Sequence, residues 1–266
     1  MTPAFLGDEW LFNQGWSYTS ALPADFRDTC TAEWVVFIDA LECARQGDFS
    51  GCARVVDSLA DELPHPLFLA SMHFVAATGG RRDAKVLERW VFSPWFTQAI
   101  GAVVWTGDLA WVDPLLRRRA QGVGEVRATC ESALSELLEH APGPVSDAPG
   151  WSDHDYEAMV RDRRDALAAK LGGQRALRGR ALHPSALIEE CRAWSDEDAA
   201  SVWSNLFHLE TLTGVGFAGV LSETAHGDEL EASTLRRCLD DMEGRAADYP
   251  MGARTFFGHP VPNDAV

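Results

Sequence analysis

A chain of 266 residues with 46% hydrophobic and 24% charged positions has enough apolar material for one elongated core or two compact ones, which excludes a disordered protein. Its 40 acidic against 23 basic residues leave a formal charge of -17, a field that repels phosphate backbones and argues against nucleic acid as a partner. No apolar stretch approaches the roughly 20 residues of a spanning helix. Residues 1–10 carry Asp8 and Glu9 with no basic start or apolar block, so neither membrane nor secretion is expected. Six cysteines without a Cys-x-x-Cys pair read as small buried apolar residues in a reducing cytoplasm, not as disulfides or zinc ligands.

In chain order, residues 1–28 are rich in aromatics such as Trp10, Trp16 and Phe26 and in turn formers, which predicts an irregular N-terminal cap. Residues 29–140 then read as helical hairpins. Helices are predicted over Thr31–Gln46, Phe49–Leu63, Pro66–Thr78, Arg81–Phe92, Pro94–Thr106, Asp108–Gln121 and Gly124–His140, each bounded by Gly, Pro or a capping Asp. Within this region Pro66 to Leu87 and Pro94 to Leu115 follow one pattern 28 residues apart: a Pro, an aromatic two residues on, an apolar middle and a Thr-Gly. A looser first copy runs from Trp34 through Gly47-Asp48, so turn glycines recur at Gly47, Gly79 and Gly107. Gly ends a helix in the left-handed conformation and Asp accepts orphan N–H groups at the start of the next.

Residues 141–150, rich in Pro and Gly, read as a linker. Residues 151–266 read as an acidic helical region packed on the first, with helices over Asp153–Leu171, Pro184–Trp194, Asp196–Leu212 and Gly227–Gly244. Val215–Ser222 is ambiguous. Between the first two of these helices, Arg175, Arg178 and Arg180 make a basic island in a glycine-containing loop. The tail after Asp248 has too many Pro and Gly residues for a helix, so Phe256 and Phe257 are expected to pin an extended segment across the last helices. The expectation is an all-α fold of stacked helical hairpins, α-solenoid-like, with an irregular N-terminal cap and an extended C-terminal tail.

The hairpins around Gly47, Gly79 and Gly107, from Trp34 to Arg119, resemble degenerate repeats of the HEAT or armadillo type, though they are shorter than the usual repeat of about 40 residues. The resemblance implies a protein-binding scaffold. Small acidic helical-repeat proteins of this look also occur among bacterial immunity proteins, which bind and block a toxic partner. The usage of only Lys85 and Lys170 among 23 basic residues resembles that of a high-GC bacterium.

No signature names a reaction: Gly-x-Ser-x-Gly, phosphate-binding glycine loops and His-Glu-x-x-His are all missing from the sequence. Two Glu-x-x-His strings, Glu223 to His226 and Glu62 to His65, invite a di-iron reading. Pro64 breaks the second, and Gly227 suggests a helix end after the first. Asp240-Asp241 invites a magnesium and diphosphate reading, against which stands a solvated helix face with Arg236–Asp240 and Arg237–Asp241 pairs. An all-helical metal-dependent enzyme is therefore the alternative, and no cofactor is assigned. His73 and His208 fall in apolar helical stretches and read as core or groove residues.

The charge excess concentrates from Asp196 onward, where 13 acidic residues face four arginines. Trp151 beside Asp153 and Asp155, Trp194 beside Asp196 and Glu197, and the carboxylates Asp228, Glu229 and Glu231 are the candidate partner-binding residues. An aromatic flanked by carboxylates suits Arg or Lys, because cation–π and ion-pair contacts act together. Ten tryptophans add hot-spot material. The expected activity is that of a cytoplasmic protein-binding protein, an immunity or inhibitor protein against a basic toxin or effector.

Overall fold

Residues 28, 30–59, 65–138, 152–193, 199–216, 232–246 and 248–262 are described by a computed structural model, and outside two short hairpins their regular structure is helical. The chain is all-α in class. It divides into two units. Unit 1 comprises residues 1–83, 183–250 and 255–266; unit 2 comprises 84–182 and 251–254.

In unit 1, helix α1 (Ala32–Ala44) follows from Trp34, Phe37, Ile38 and Leu41, whose i, i+3, i+4, i+7 spacing makes one apolar face. All four are at most 1% exposed, and each such burial is worth about 1.5–3 kcal/mol. Trp34 meets Phe37 edge-on at 5.9 Å, and Phe37 meets Phe74 at 5.7 Å. Helix α2 (Cys52–Ser58) starts three residues later than predicted, because Asp48 Oδ1 accepts the Ser50 N–H and holds an intervening turn.

Helix α3 (His65–Thr78) is apolar all round, and residues 67–80 are buried without exception. A helix of that kind must be enclosed by others. Unit 1 continues with α10 (Pro184–Arg192), α11 (Ala199–Thr213) and α12 (Ala232–Ala246), and α10 packs on both α11 and α12. Strands β3 (Thr255–Phe256) and β4 (His259–Pro260) pair antiparallel, and β3 packs on α11 and α3.

The predicted helix over 81–92 is two pieces, α4 (Arg81–Ala84) and α5 (Val86–Val91). Lys85 O accepts from Glu88 N–H three residues on, a tightened turn in place of an α-helical bond. Unit 2 holds α5, α6 (Phe96–Trp105), a 3₁₀ turn (Leu109–Trp111), α7 (Val112–Gln121), α8 (Glu125–Leu138) and α9 (Asp153–Leu171). Asp108 caps the 3₁₀ turn by accepting the Ala110 N–H at 3.0 Å. Helix α7 packs on α8, and α6 packs on α5 and α8. Strands β1 (Ala176–Leu177) and β2 (Arg180–Ala181) form a second antiparallel hairpin.

The two Thr-Gly turns of the sequence repeat share their threonine chemistry: Thr78 Oγ1 donates to Phe74 O and Thr106 Oγ1 to Val103 O, both at 2.7 Å. Their glycines serve different ends. Gly107 takes the left-handed conformation expected of it, at φ 60°. Gly79 has no positive φ; it is small because a Cβ there would stand 2.7 Å from Val75 O and 2.9 Å from Asp83 Cβ.

The loop read as a basic island is hairpin β1–β2, and two of its three arginines are consumed internally while Arg180 is exposed. Arg175 is buried against Asp108, and Arg178 is bidentate to Glu136 at 3.0 and 3.1 Å. The tail also pins an extended segment, but Phe256 reaches the first helices of unit 1: it meets Phe74 at 6.0 Å and Phe49 at 6.5 Å. Residues 141–150, most of 1–28 and 217–222 lie outside the described residues.

Candidate functional site

Asp153 and Asp155, both candidates for partner contact, sit in the first turn of α9. Ser152 is the helix cap: its Oγ accepts from Asp155 N while Asp155 Oδ2 accepts from Ser152 N at 3.0 Å and from its hydroxyl at 2.7 Å. This capping box satisfies two orphan donors reciprocally. Hydrogen bonds from the Ser152 hydroxyl and backbone hold the Asp155 carboxyl below its ordinary pKa.

Asp153 closes a network that joins α7, α8 and α9. Arg119, only 2% exposed, donates from Nε to Glu131 at 2.8 Å and from Nη1 to Asp153 at 3.1 Å. Its guanidinium carbon lies 3.9 Å from the centroid of the Tyr156 ring. Arg127 bridges the same carboxylates, at 3.1 Å to Glu131 and 2.6 Å to Asp153. Bonds from Arg127 and then Arg119 lower the Asp153 pKa. Burial, with Glu131 nearby, pushes the Tyr156 phenol up to about 12. Leu115, Leu116 and Arg119 share one stripe of α7, and an arginine on such an apolar stripe is the sequence signal for this cluster.

Asp240 was expected to pair with Arg236 along its own helix. It is instead held at 2.5 Å by Arg192 of α10, which also reaches Glu243 at 2.7 Å. Asp241 is exposed, and among the described residues no three His, Cys, Asp or Glu side chains converge on a point that could hold a metal. His65 opens α3. The remaining carboxylates and histidine of the metal readings, Glu62, Glu223 and His226, lie outside the described residues, as do the candidate contacts Trp151, Trp194, Asp196, Glu197, Asp228, Glu229 and Glu231.

His73 and His208 are buried, at 6% and 7% exposure. Burial pushes the His73 imidazole down to about 4, so it is neutral at physiological pH. One Ser–His pair that the sequence reading passed over is present: His183 Nδ1 lies 2.7 Å from Ser185 Oγ and 3.2 Å from Ser185 N. The other ring nitrogen faces Tyr249 O at 3.2 Å. With one nitrogen accepting at the start of α10 and the other donating to a carbonyl, the ring is spent as a helix cap.

Exposed carboxylates without an ion-pair partner among the described residues include Asp57, Glu125, Asp162, Asp241 and Asp248. Their charge, unlike that of Asp153 and Asp240, is open to another molecule. No helix among the described residues is long and apolar enough to cross a membrane. No protein-family model, curated protein or solved structure matches this chain.

Proposed function

We propose that the chain is a protein-binding protein that holds a basic partner through an acidic helical surface. The closest description is an immunity or inhibitor protein that neutralises a toxin or effector in a bacterial cytoplasm. Helical hairpins stacked side by side in α-solenoid fashion are the scaffold this reading assumes. The observation that carries it is the formal charge of -17, because a field of one sign steers an oppositely charged protein into encounter and rejects like-charged ones. The internal duties of Asp153, Asp155, Asp240 and Glu243 move the weight onto Asp57, Glu125, Asp162, Asp241 and Asp248, together with Trp151, Trp194, Asp196, Glu197, Asp228, Glu229 and Glu231.

The test is co-purification with the product of the neighbouring reading frame, followed by charge reversal in the complex. Changing Asp228, Glu229 and Glu231 to Lys, or Asp57, Asp241 and Asp248 to Lys, slows association and flattens its dependence on salt. Association that both triple variants leave untouched removes the acidic surface from the explanation.

A further inference from the structure

Hairpins β1–β2 and β3–β4 share one plan. Arg175-Ala176-Leu177-Arg178-Gly179-Arg180-Ala181-Leu182 and Arg254-Thr255-Phe256-Phe257-Gly258-His259-Pro260-Val261 both open on a buried arginine, at 5% and 3% exposure. Both bury the next two residues and the last, and both expose the position after the glycine. Their registers coincide: Ala176 faces Ala181 and Leu177 faces Arg180, as Thr255 faces Pro260 and Phe256 faces His259.

Both two-residue turns have two positive φ angles, 49° and 71° at Arg178 and Gly179, 52° and 79° at Phe257 and Gly258. Such turns match the twist of a hairpin and favour Asn-Gly or Gly-Gly, since a larger side chain at the first position is strained. Here each bulky residue is held by its side chain. Arg178 grips Glu136 twice, and Phe257 lies 4.9 Å from the Phe256 ring with Arg45 over its face at 5.6 Å.

The docking is also the same. Arg178 N–H donates to Glu136 O at 2.6 Å and Gly179 N–H to Leu137 O at 3.3 Å; Phe257 N–H donates to Thr211 O and Gly258 N–H to Leu212 O, both at 2.8 Å. Helix α8 ends at Leu138 and α11 at Thr213, so in both copies the accepting carbonyls belong to the two residues before the last. Those carbonyls are among the orphan acceptors of a helix C-terminus.

We infer that the chain carries one closing element in two copies, a clasp in which a strained hairpin turn returns from further along the chain to cap a helix, one clasp to each unit. The turn amides, which in a free hairpin face water, are sequestered. Release of the hairpin strips the caps from the helix end, so the turn and the last turn of its helix open together in one step. Each clasp acts inside its own unit: β1–β2 on α8, and β3–β4 on α11.

The test is residue-resolved hydrogen exchange on the full chain. Amides of Arg178, Gly179, Phe257 and Gly258 exchange at least about tenfold more slowly than unstructured amides, each pair with the same opening free energy as the end of its helix. Gly258→Val, a β-branched residue at positive φ, speeds exchange in the Phe257 turn and α11 and leaves α8 unchanged, while Gly179→Val does the reverse. Gly258→Asn keeps the left-handed conformation accessible and restores protection. The wild-type measurement stands alone if a valine variant does not fold. Turn amides that exchange at unstructured rates, or a Gly258→Val effect as large in α8 as in α11, overturn the inference.

Discussion

Arg175 and Asp108 form a buried ion pair in unit 2, with Nη1 2.5 Å from Oδ2 and both side chains at most 9% exposed. Asp108 has a second duty, since its Oδ1 caps the 3₁₀ turn through the Ala110 N–H. Asp108→Asn keeps the cap and deletes the charge. It is expected to lower stability by about 3–5 kcal/mol, the cost of leaving a buried charge without its partner. Urea unfolding of Asp108→Asn, Arg175→Met and the double variant measures it, and a double variant no worse than either single one identifies the loss as the unpaired charge.

The Phe256 ring is fully enclosed, meeting Phe74, Phe49 and Phe257. Phe256→Ala is expected to cost about 3–5 kcal/mol, because the removed ring loses its transfer free energy and leaves a cavity. Equilibrium unfolding reads this directly. A loss below about 1 kcal/mol would mean that the C-terminal segment contributes little to the core of unit 1.

Acid sensitivity follows from His73. Its folded pKa of about 4 lies below the ordinary 6.5, so between these values the unfolded chain takes up a proton that the folded chain refuses. Stability is intact above pH 6.5, falls as pH drops through the window, and has lost about 3 kcal/mol once pH is below 4. Asp153 and Asp155, held below the ordinary 3.8 by hydrogen bonds from Arg127, Arg119 and Ser152, lose their contribution at still lower pH. The slope of stability between pH 6.5 and 4 should therefore flatten in His73→Gln, whatever that variant does to absolute stability.

Thiol reactivity gives a further check on burial. Cys52, Cys130 and Cys191 are buried, and burial pushes the Cys130 thiol up to about 11. These three should resist an aromatic disulfide reagent at pH 8 in the folded chain and react on unfolding, whereas the half-buried Cys30, Cys43 and Cys238 react sooner. Fast labelling of Cys130 in the native chain would contradict the packing of α8.

The helices were legible because their apolar period and their Gly, Pro and Asp boundaries are local. Trp34, Phe37, Ile38 and Leu41 announce α1 without any knowledge of what they touch. The hairpins were not legible, because Arg178-Gly179 and Phe257-Gly258 lack the Asn-Gly form that marks such a turn. What stabilises these turns is a helix end far away in sequence. The fate of charges was hidden for the same reason. Nothing near Asp153 foretells Arg119, and nothing near Asp240 foretells Arg192, so carboxylates that look free in the sequence are committed in the fold. Asp241 and Asp57 could be read as exposed only once those pairings were known.

Unit 1 joins residues 1–83 to residues 183–250 and 255–266 across a long intervening stretch, and this imposes an order of events on synthesis. Helix α3 is made early and can pack on α1 and α2, yet the part of its apolar surface that meets Phe256 stays uncovered until β3 has left the ribosome. Unit 2 lies mostly between these pieces and can reach its native form first. A nascent chain halted after Leu182 therefore displays the α1–α3 surface to solvent and is the species most exposed to chaperones, proteases and aggregation.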